Sequence, residues 1–184
     1  MQRPTIAALA GRRIDAAGVA DPRFPLANVA SVRAQIAAVL RAHRVAGLVA
    51  SAACGADLIG LDEAVKLGLR RRIVLPFPVR EFRAKSVTNR PGGWGDLFDR
   101  LVADAQATGE LVVIDPVGGK DDAAYLAATE AIIGQAEEMA EELGADRVAI
   151  TVWEGQARSG TDLTETFQLL ARQAGFAPVT VLTA

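Results

Sequence analysis

The chain is predicted to fold as one doubly wound α/β domain, in which a mostly parallel sheet lies between two layers of helices. Apolar segments of strand length alternate with longer segments of helical spacing along all 184 residues. The strand segments are continuously apolar, which indicates a sheet that is covered on both faces. No internal repeat or linker divides the sequence, so residues 1–184 are predicted to form a single three-layer domain.

Six strands are predicted from apolar runs that end at turn residues. They are residues 5–10, 45–52, 72–77, 110–115, 147–153 and 178–182. Gly11 ends the first strand, and Pro76 and Pro78 stop the third. The commonest doubly wound arrangement gives the order 3-2-1-4-5-6, with the first strand in the centre of the sheet.

Helices are predicted between these strands from capping residues and apolar spacing. The first helix is predicted to start at Asn28 or Ser31. The later helices are predicted over Asp57 to Gly68, residues 96–107, Asp121 or Asp122 to Gly144, and Thr161 or Asp162 to Gly175. Residues 79–95 are predicted to be a long loop with one helical turn, because charges, glycines and Pro91 interrupt any periodic pattern.

The composition excludes several classes of protein. No apolar run reaches the ~18 residues that span a bilayer. The apolar stretch within residues 1–10 is short and is followed by Gly11-Arg12-Arg13, whereas a signal peptide has a longer apolar segment with a cleavage site after it. The single cysteine, Cys54, excludes an intrachain disulfide. We therefore expect a cytoplasmic protein without a membrane association.

Charge is distributed unevenly along the chain. Residues 1–92 contain 15 Lys and Arg and 6 Asp and Glu, whereas residues 93–184 contain 5 and 16. This asymmetry is typical of solvated helix surfaces, and it also fits a basic half that meets phosphate. The net charge of −2 disfavours a general nucleic-acid binder, which is usually basic in total.

Three loops that follow strands carry candidate ligand-binding residues. In the first loop, Gly11 permits close backbone approach, and Arg12 or Arg13 can form a forked contact to phosphate. In the second, Ser51 and Gly55 belong to a run of small residues that leaves room for a ligand or for close helix packing. Asp57 closes this run, where it can cap a helix whose free amides attract an anion.

The third loop runs from Trp153 to Asp162 and contains Gly155 and Gly160. Ser159, Thr161 and the amides that follow are candidates to hold phosphate, and Glu154 is a candidate to accept hydrogen bonds from ribose hydroxyl groups. Trp153 either stacks on a base or belongs to the core.

These loops resemble those of the SLOG superfamily, a Rossmann-like group that contains the Smf/DprA proteins and the LOG phosphoribohydrolases. The matching segments are Ala10-Gly-Arg-Arg13, Ser51-Ala-Ala-Cys-Gly-Ala-Asp57 with Ala64, Val74-Leu-Pro-Phe-Pro78, Trp94 with Phe98-Asp99, and Val152-Trp-Glu-Gly155 with Gly160-Thr161. They occur in the family's order over nearly the whole chain. The resemblance implies a Rossmann-like fold with a nucleotide or nucleotide-derived ligand, and is closest to bacterial SLOG domains that occur alone or beside signalling domains.

One departure from the LOG pattern bears on catalysis. Thr164 occupies the position of the LOG glutamate, and Glu165 follows one residue later, which turns a helical side chain by about 100°. Glu154 and Glu165 are the catalytic candidates. No Gly-x-Gly-x-x-Gly follows the first strand, which argues against an ordinary NAD dehydrogenase.

Three functions remain open from the sequence. The first is a sensor or regulatory module that binds a nucleotide-like phosphorylated small molecule. The second is an enzyme that cleaves an N-glycosidic bond, for which the carboxylate candidates are Asp57, Asp115, Glu154, Asp162 and Glu165. The third is a protein-interaction domain without a ligand. No cofactor and no metal site is expected, since no Cys/His cluster is present, and a homo-oligomer is possible.

Overall fold

A computed structural model describes residues 3–115, 117 and 120–184. Six strands form one sheet: β1 (Thr5–Gly11), β2 (Val45–Ala50), β3 (Arg70–Leu75), β4 (Leu111–Val113), β5 (Asp146–Trp153) and β6 (Ala177–Leu182). Six α-helices surround it: α1 (Val29–Ala42), α2 (Ala56–Lys66), α3 (Val79–Ser86), α4 (Gly95–Ala107), α5 (Asp121–Leu143) and α6 (Leu163–Gln173). All five strand pairings are parallel, so the predicted α/β class is confirmed.

The central strands contribute side chains to two apolar cores, one on each face of the sheet. Ala7 and Leu9 of β1 belong to the core under α1, α2 and α4, whereas Ile6 and Ala8 belong to the core under α5 and α6. Successive side chains of a strand point to opposite faces, and here both faces are buried. This explains why β1 is apolar without alternation and makes the domain three-layered.

The predicted strand order is wrong at β4. The observed order is β4-β3-β2-β1-β5-β6, in which β4 pairs with the outer edge of β3 and β5 takes the place beside β1. β1 is central, as predicted. The crossover from β4 to β5 must pass β3, β2 and β1, roughly four strand spacings or 19 Å. The 23 residues of α5 extend about 34 Å, and this helix contacts β1, β2, β3 and β5.

Smaller expectations about helix ends and the segment after β3 also differ from the structure. Residues 79–86 form the two-turn helix α3 rather than one turn within a loop. Asp57 does not cap α2: Gly55 holds the N-cap position with φ of 106°, and Asp57 lies in the first turn. Gly55 can adopt this backbone conformation without strain, so the helix starts earlier than the capping pattern indicated. Neither Asp121 nor Asp122 caps α5, whose N-cap is Lys120. Of the two caps predicted for α6, Thr161 and Asp162, the structure uses Asp162, which accepts from the backbone N–H groups of Thr164 and Glu165.

Within the described ranges, no helix combines the length and the apolar character that a bilayer crossing requires.

Gly11 lets β1 approach β5 and α2 closely. A Cβ atom at this position would lie 2.3 Å from the carbonyl oxygen of Val152 and 2.7 Å from Cβ of Ala56. Two backbone elements would have to move to admit it. The close approach that the sequence indicated at Gly11 is therefore made between elements of the protein itself.

Gly11→Ala is expected to lower the free energy of unfolding by roughly 1–3 kcal/mol, because the added methyl group overpacks this contact. Gly134→Ala is the matched control: Gly134 lies within α5 with open space around it, and alanine there should add roughly 0.5–1 kcal/mol. Urea unfolding of both variants measures the difference. Equal stability of the Gly11 variant and the wild type would contradict the assigned role.

Candidate functional site

A cleft of about 480 Å³ opens at the carboxyl ends of the central strands. Ala10 at the end of β1, Ser51 after β2, Pro76 after β3 and Thr161 before α6 all lie in its walls. The strand order reverses direction between β1 and β5, so this is the topological switch point of the sheet, where parallel α/β proteins bind ligands. Its volume falls in the range of small-molecule pockets.

The loops after β1 and β2 are joined by their backbones. Arg13 and Gly55 form an antiparallel bridge, flanked by bonds from Ile14 N–H to the Cys54 carbonyl at 3.2 Å and from Ala56 N–H to the Arg12 carbonyl at 3.2 Å. A side chain at Gly55 would meet the Arg12 carbonyl oxygen at 2.8 Å. Gly55 therefore permits the junction that sets Arg13 beside the start of α2, and it does not line the cleft.

Arg12 forms a buried ion cluster that joins the loop after β1 to the loop after β5. Its Nε donates to Glu154 Oε2 at 2.6 Å, and Nη1 and Nη2 donate to the two carboxylate oxygens of Asp162 at 2.9 and 2.8 Å. Glu154 Oε1, the Gln156 carbonyl and Thr164 Oγ1 complete a set of six oxygen atoms around its five N–H groups. Arg12 faces the cleft as expected, but its donors are already used within the protein.

The charges of this cluster stabilise one another. Burial disfavours ionisation of Asp162, but hydrogen bonds from Arg12 and from the N–H groups of Glu165 and Thr164 outweigh it and lower the pKa of this carboxyl group. Burial likewise disfavours the charged form of Arg12, and the bonds to Asp162 and Glu154 outweigh it and raise its pKa. Both groups are therefore charged at neutral pH.

Trp153 belongs to the core and is 8% exposed. The Arg12 guanidinium carbon lies 5.7 Å from the centroid of its ring, within the range of a cation–π contact. Of the two roles that the sequence left open for Trp153, the structure matches the core role, in which the ring supports the ion cluster.

Asp57 is a buried carboxyl group in the cleft wall. It is 7% exposed, and its Oδ2 accepts a hydrogen bond from the Ala53 N–H at 3.1 Å. Burial raises the pKa of Asp57 to about 7, against the opposing effects of the Ala53 bond and the charge of Arg13. A carboxyl group in this state can either donate or accept a proton near neutral pH.

Arginines dominate the charged residues of the cleft. Five arginines and three aspartates line it: Arg12, Arg13, Arg23, Arg90, Arg158, Asp15, Asp57 and Asp162. Arg12 and Arg23 both pair with Glu154, whereas Arg13 donates to the uncharged Lys85 carbonyl at 3.2 Å. Four of the five arginines come from the basic half of the sequence.

The structure brings most of the predicted site residues together. Those that line the cleft are Gly11, Arg12, Arg13, Ser51, Asp57, Thr161 and Asp162. Gly55, Glu154, Gly155, Gly160 and Glu165 do not line it. Glu154 lies behind Arg12 in the ion cluster, and Gly155 and Gly160 lie in the exposed loop before α6.

Sequence reasoning missed several residues of the cleft. Arg90 and the pair Ser86 and Tyr125, whose hydroxyl oxygens lie 2.8 Å apart, line it together with Ile132 of α5. Arg90 comes from the irregular segment between α3 and α4, and irregular loops often carry binding residues. Tyr125 and Ile132 reach the cleft because α5 crosses the sheet, which no local pattern indicated.

Cys54 is fully buried, and burial raises the pKa of its thiol, so it is a packed core residue. Among the residues that the structure describes, no group of three or more His, Cys, Asp or Glu side chains is arranged to hold a metal ion.

Comparisons with known proteins give distant structural similarities. No family model and no curated protein matches the chain. It is similar to DNA processing protein A from Streptococcus pneumoniae, with 18% identity and a TM-score of 0.45 over 96% of this chain and 58% of that one. A co-structure of S. aureus MnaA with UDP shows 9% identity and a TM-score of 0.38, over 98% of this chain and 69% of that one.

UDP-GlcNAc 2-epimerase from Methanocaldococcus jannaschii shows 11% identity and a TM-score of 0.37, over 98% of this chain and 73% of that one. The chain thus spans less than two thirds of the length of the pneumococcal protein. The Rossmann-like description of this chain rests on its own six-stranded parallel sheet.

Arg12→Met is expected to lower the free energy of unfolding by about 3–5 kcal/mol, because it leaves Asp162 buried without its cation and Glu154 with Arg23 alone. Arg12→Lys should be intermediate, since an ammonium group cannot form the same fork. Arg83→Met removes the exposed pair with Asp99 and should change stability little, because exposed ion pairs are weak. Equal losses at positions 12 and 83, measured by urea unfolding, would refute the central role of Arg12.

Asp57→Asn is expected to change how stability depends on pH. Because the folded-state pKa lies above the unfolded value, the wild type loses stability as pH rises from about 4 to 7, by up to about 4 kcal/mol. The amide can keep the bond from Ala53 N–H and does not titrate, so the variant should lack this loss and be the more stable protein at pH 8.

Asp162→Asn is the control, because the contribution of Asp162 to stability should depend on pH in the opposite direction. The pKa of Asp162 is lowered in the folded state, so its contribution is present above the unfolded pKa and is lost as pH falls. Urea midpoints between pH 3 and pH 8 compare the three proteins. Parallel pH profiles of the wild type and the Asp57 variant would contradict the assignment.

Proposed function

We propose that the cleft binds a nucleotide or a nucleotide-derived phosphorylated molecule, and that the protein acts as a ligand sensor or regulatory module. The observation that carries this proposal is a set of cleft arginines at the switch point, among which Arg13 donates to an uncharged carbonyl rather than to a carboxylate. Anionic groups of a ligand are the natural partners of such cations.

Each part of the cleft suits one part of a nucleotide. Arg13 lies beside the first turn of α2, where backbone amides and the helix dipole favour a phosphate. Ser51 and Thr161 offer hydroxyl groups, and Ile132 adds apolar surface against which a base or sugar can pack. The ion cluster holds the floor of the cleft in place through Arg12, Glu154 and Asp162. Glycines shape the loops of the cleft: Gly11, Gly55, Gly155 and Gly160.

We also propose membership of the SLOG superfamily, on the order of the matching segments in the sequence and the Rossmann-like sheet. With this assignment we also propose that the protein is bacterial and cytoplasmic and that it can form a homo-oligomer. A general nucleic-acid partner is disfavoured by the net charge of −2.

A thermal-shift screen with nucleotides, ADP-ribose and cyclic nucleotides tests the binding proposal. A true ligand at about 100 times its dissociation constant adds about 2.7 kcal/mol of stability. Arg13→Ala should weaken binding of that ligand by roughly 1.5–3 kcal/mol, the contribution of a charged hydrogen bond. Arg80→Ala, at an exposed arginine of α3 outside the cleft, is the matched control. The proposal fails if no compound stabilises the protein, or if the two variants bind alike.

One observation favours a second candidate function, the cleavage of an N-glycosidic bond. Asp57 is a cleft carboxyl group with one hydrogen bond from the protein and a pKa near neutrality, as general acid–base chemistry requires. Glu154 is less suited, because it already accepts from Arg12 and Arg23, and Glu165 lies outside the cleft.

We expect binding without rapid turnover, because Thr164 stands in place of the LOG glutamate and cannot serve as a general base. Incubation with nucleoside monophosphates, followed by chromatography for free base and ribose phosphate, separates the alternatives. Base release that is abolished by Asp57→Asn, Glu154→Gln or Glu165→Gln would establish an enzyme. The absence of both binding and release would leave the interaction-domain alternative.

A further inference from the structure

Arg90 contains a buried hydrogen-bond donor without a partner. Among the described residues, its Nε is the one buried side-chain nitrogen or oxygen atom that makes no hydrogen bond. An unsatisfied buried donor is unfavourable, and the more so on a charged group. Arg90 lines the cleft, so an anion bound beside its guanidinium group would offset the charge on which this donor lies.

A second arginine lies on the same side of the cleft. Arg13 and Arg90 both line the cleft, and one carbonyl group connects them: the Lys85 carbonyl accepts from Arg13 Nη1 at 3.2 Å and from the side chain of Asn89, the neighbour of Arg90, at 2.7 Å. Like charges that converge in a partly buried site repel each other unless an anion lies between them. Asp57 is the carboxyl group of this region, and its raised pKa leaves it only partly ionised at neutral pH.

The segment that carries Arg90 is held in place by its own contacts. Trp94 is buried and donates from Nε1 to the Pro91 carbonyl at 2.9 Å, and Asn89 donates to the Lys85 carbonyl at 2.7 Å. The Cys54 N–H donates to the Ser86 carbonyl at 3.0 Å, which ties the end of α3 to the loop after β2. The position of Arg90 is therefore preorganised before any ligand arrives.

We propose that Arg90 and Arg13 form an anion subsite that binds a phosphoryl group of the ligand. This inference rests on the proposed function and deepens it, because it assigns the phosphate to the side of the cleft near α2 and α3 and not to Arg12. A phosphoryl group matches two guanidinium groups, because it has up to two negative charges and three acceptor oxygens. A ligand with a terminal phosphate or a diphosphate is therefore preferred over the corresponding nucleoside.

Inorganic pyrophosphate is the probe that tests the subsite without knowledge of the rest of the ligand. Calorimetric titration of the whole chain should show binding, and Arg90→Met should weaken it at least about tenfold. Arg90→Lys should weaken it less, and Arg80→Met, the matched control, should leave it unchanged.

The stability of the ligand-free protein separates a binding role from a structural one. Arg90→Met removes an unsatisfied donor, so the free variant should melt at the same temperature as the wild type or higher. A lower melting temperature with unchanged pyrophosphate affinity would overturn the proposal and make Arg90 a structural residue. If the methionine variant does not fold, the same comparison with Arg90→Lys decides.

The test also distinguishes this inference from the proposed function. A nucleotide that binds the wild type and Arg90→Met equally would refute the subsite and leave nucleotide binding intact. Pyrophosphate binding that depends on Arg90, with no nucleotide binding more tightly than pyrophosphate, would support the subsite and refute the nucleotide proposal. Absence of binding by either probe would refute both.

Discussion

The contact of Arg12 with Glu154 and Asp162 is the interaction on which the rest of the site depends. It joins the loop after β1 to the loop after β5 across the switch point, where the two halves of the sheet diverge. Asp162 is also the N-cap of α6, so one carboxylate both pairs with Arg12 and starts a helix. The loop, the helix and the floor of the cleft are therefore coupled through one buried guanidinium group.

Because the hydrogen-bond donors of Arg12 are all used within the protein, the two sides of the cleft differ chemically. On the side of β5, the positive charge of Arg12 is balanced by two carboxylates and its N–H groups are occupied. On the side of α2 and α3, Arg13, Arg90 and the partly ionised Asp57 line the cleft. A ligand that carries its charge at one end would thus bind in one direction.

The sheet order explains why these two sides face each other. Because α5 crosses the sheet, β5 pairs directly with β1, and their loops begin from adjacent strands. The same helix brings Tyr125 and Ile132 over the cleft. Had the fourth strand taken the place beside β1, as the commoner order has it, the loop after β5 would start one strand further from Arg12.

The sequence by itself determined the α/β class and the six strands, which depend on local periodicity, and limited the cap of α6 to Thr161 or Asp162, which depends on neighbouring residues. The central position of β1 followed from the order that is commonest in doubly wound sheets. It also located most of the cleft, because the carboxyl ends of parallel strands meet at one edge of a sheet. Tertiary structure alone decided the place of β4, the pairing of Arg12 with residues about 150 positions away, the burial of Asp57 and the unsatisfied Nε of Arg90. Charge, burial and hydrogen-bond saturation are properties of the space around a side chain, and that space is filled by segments far apart in the chain.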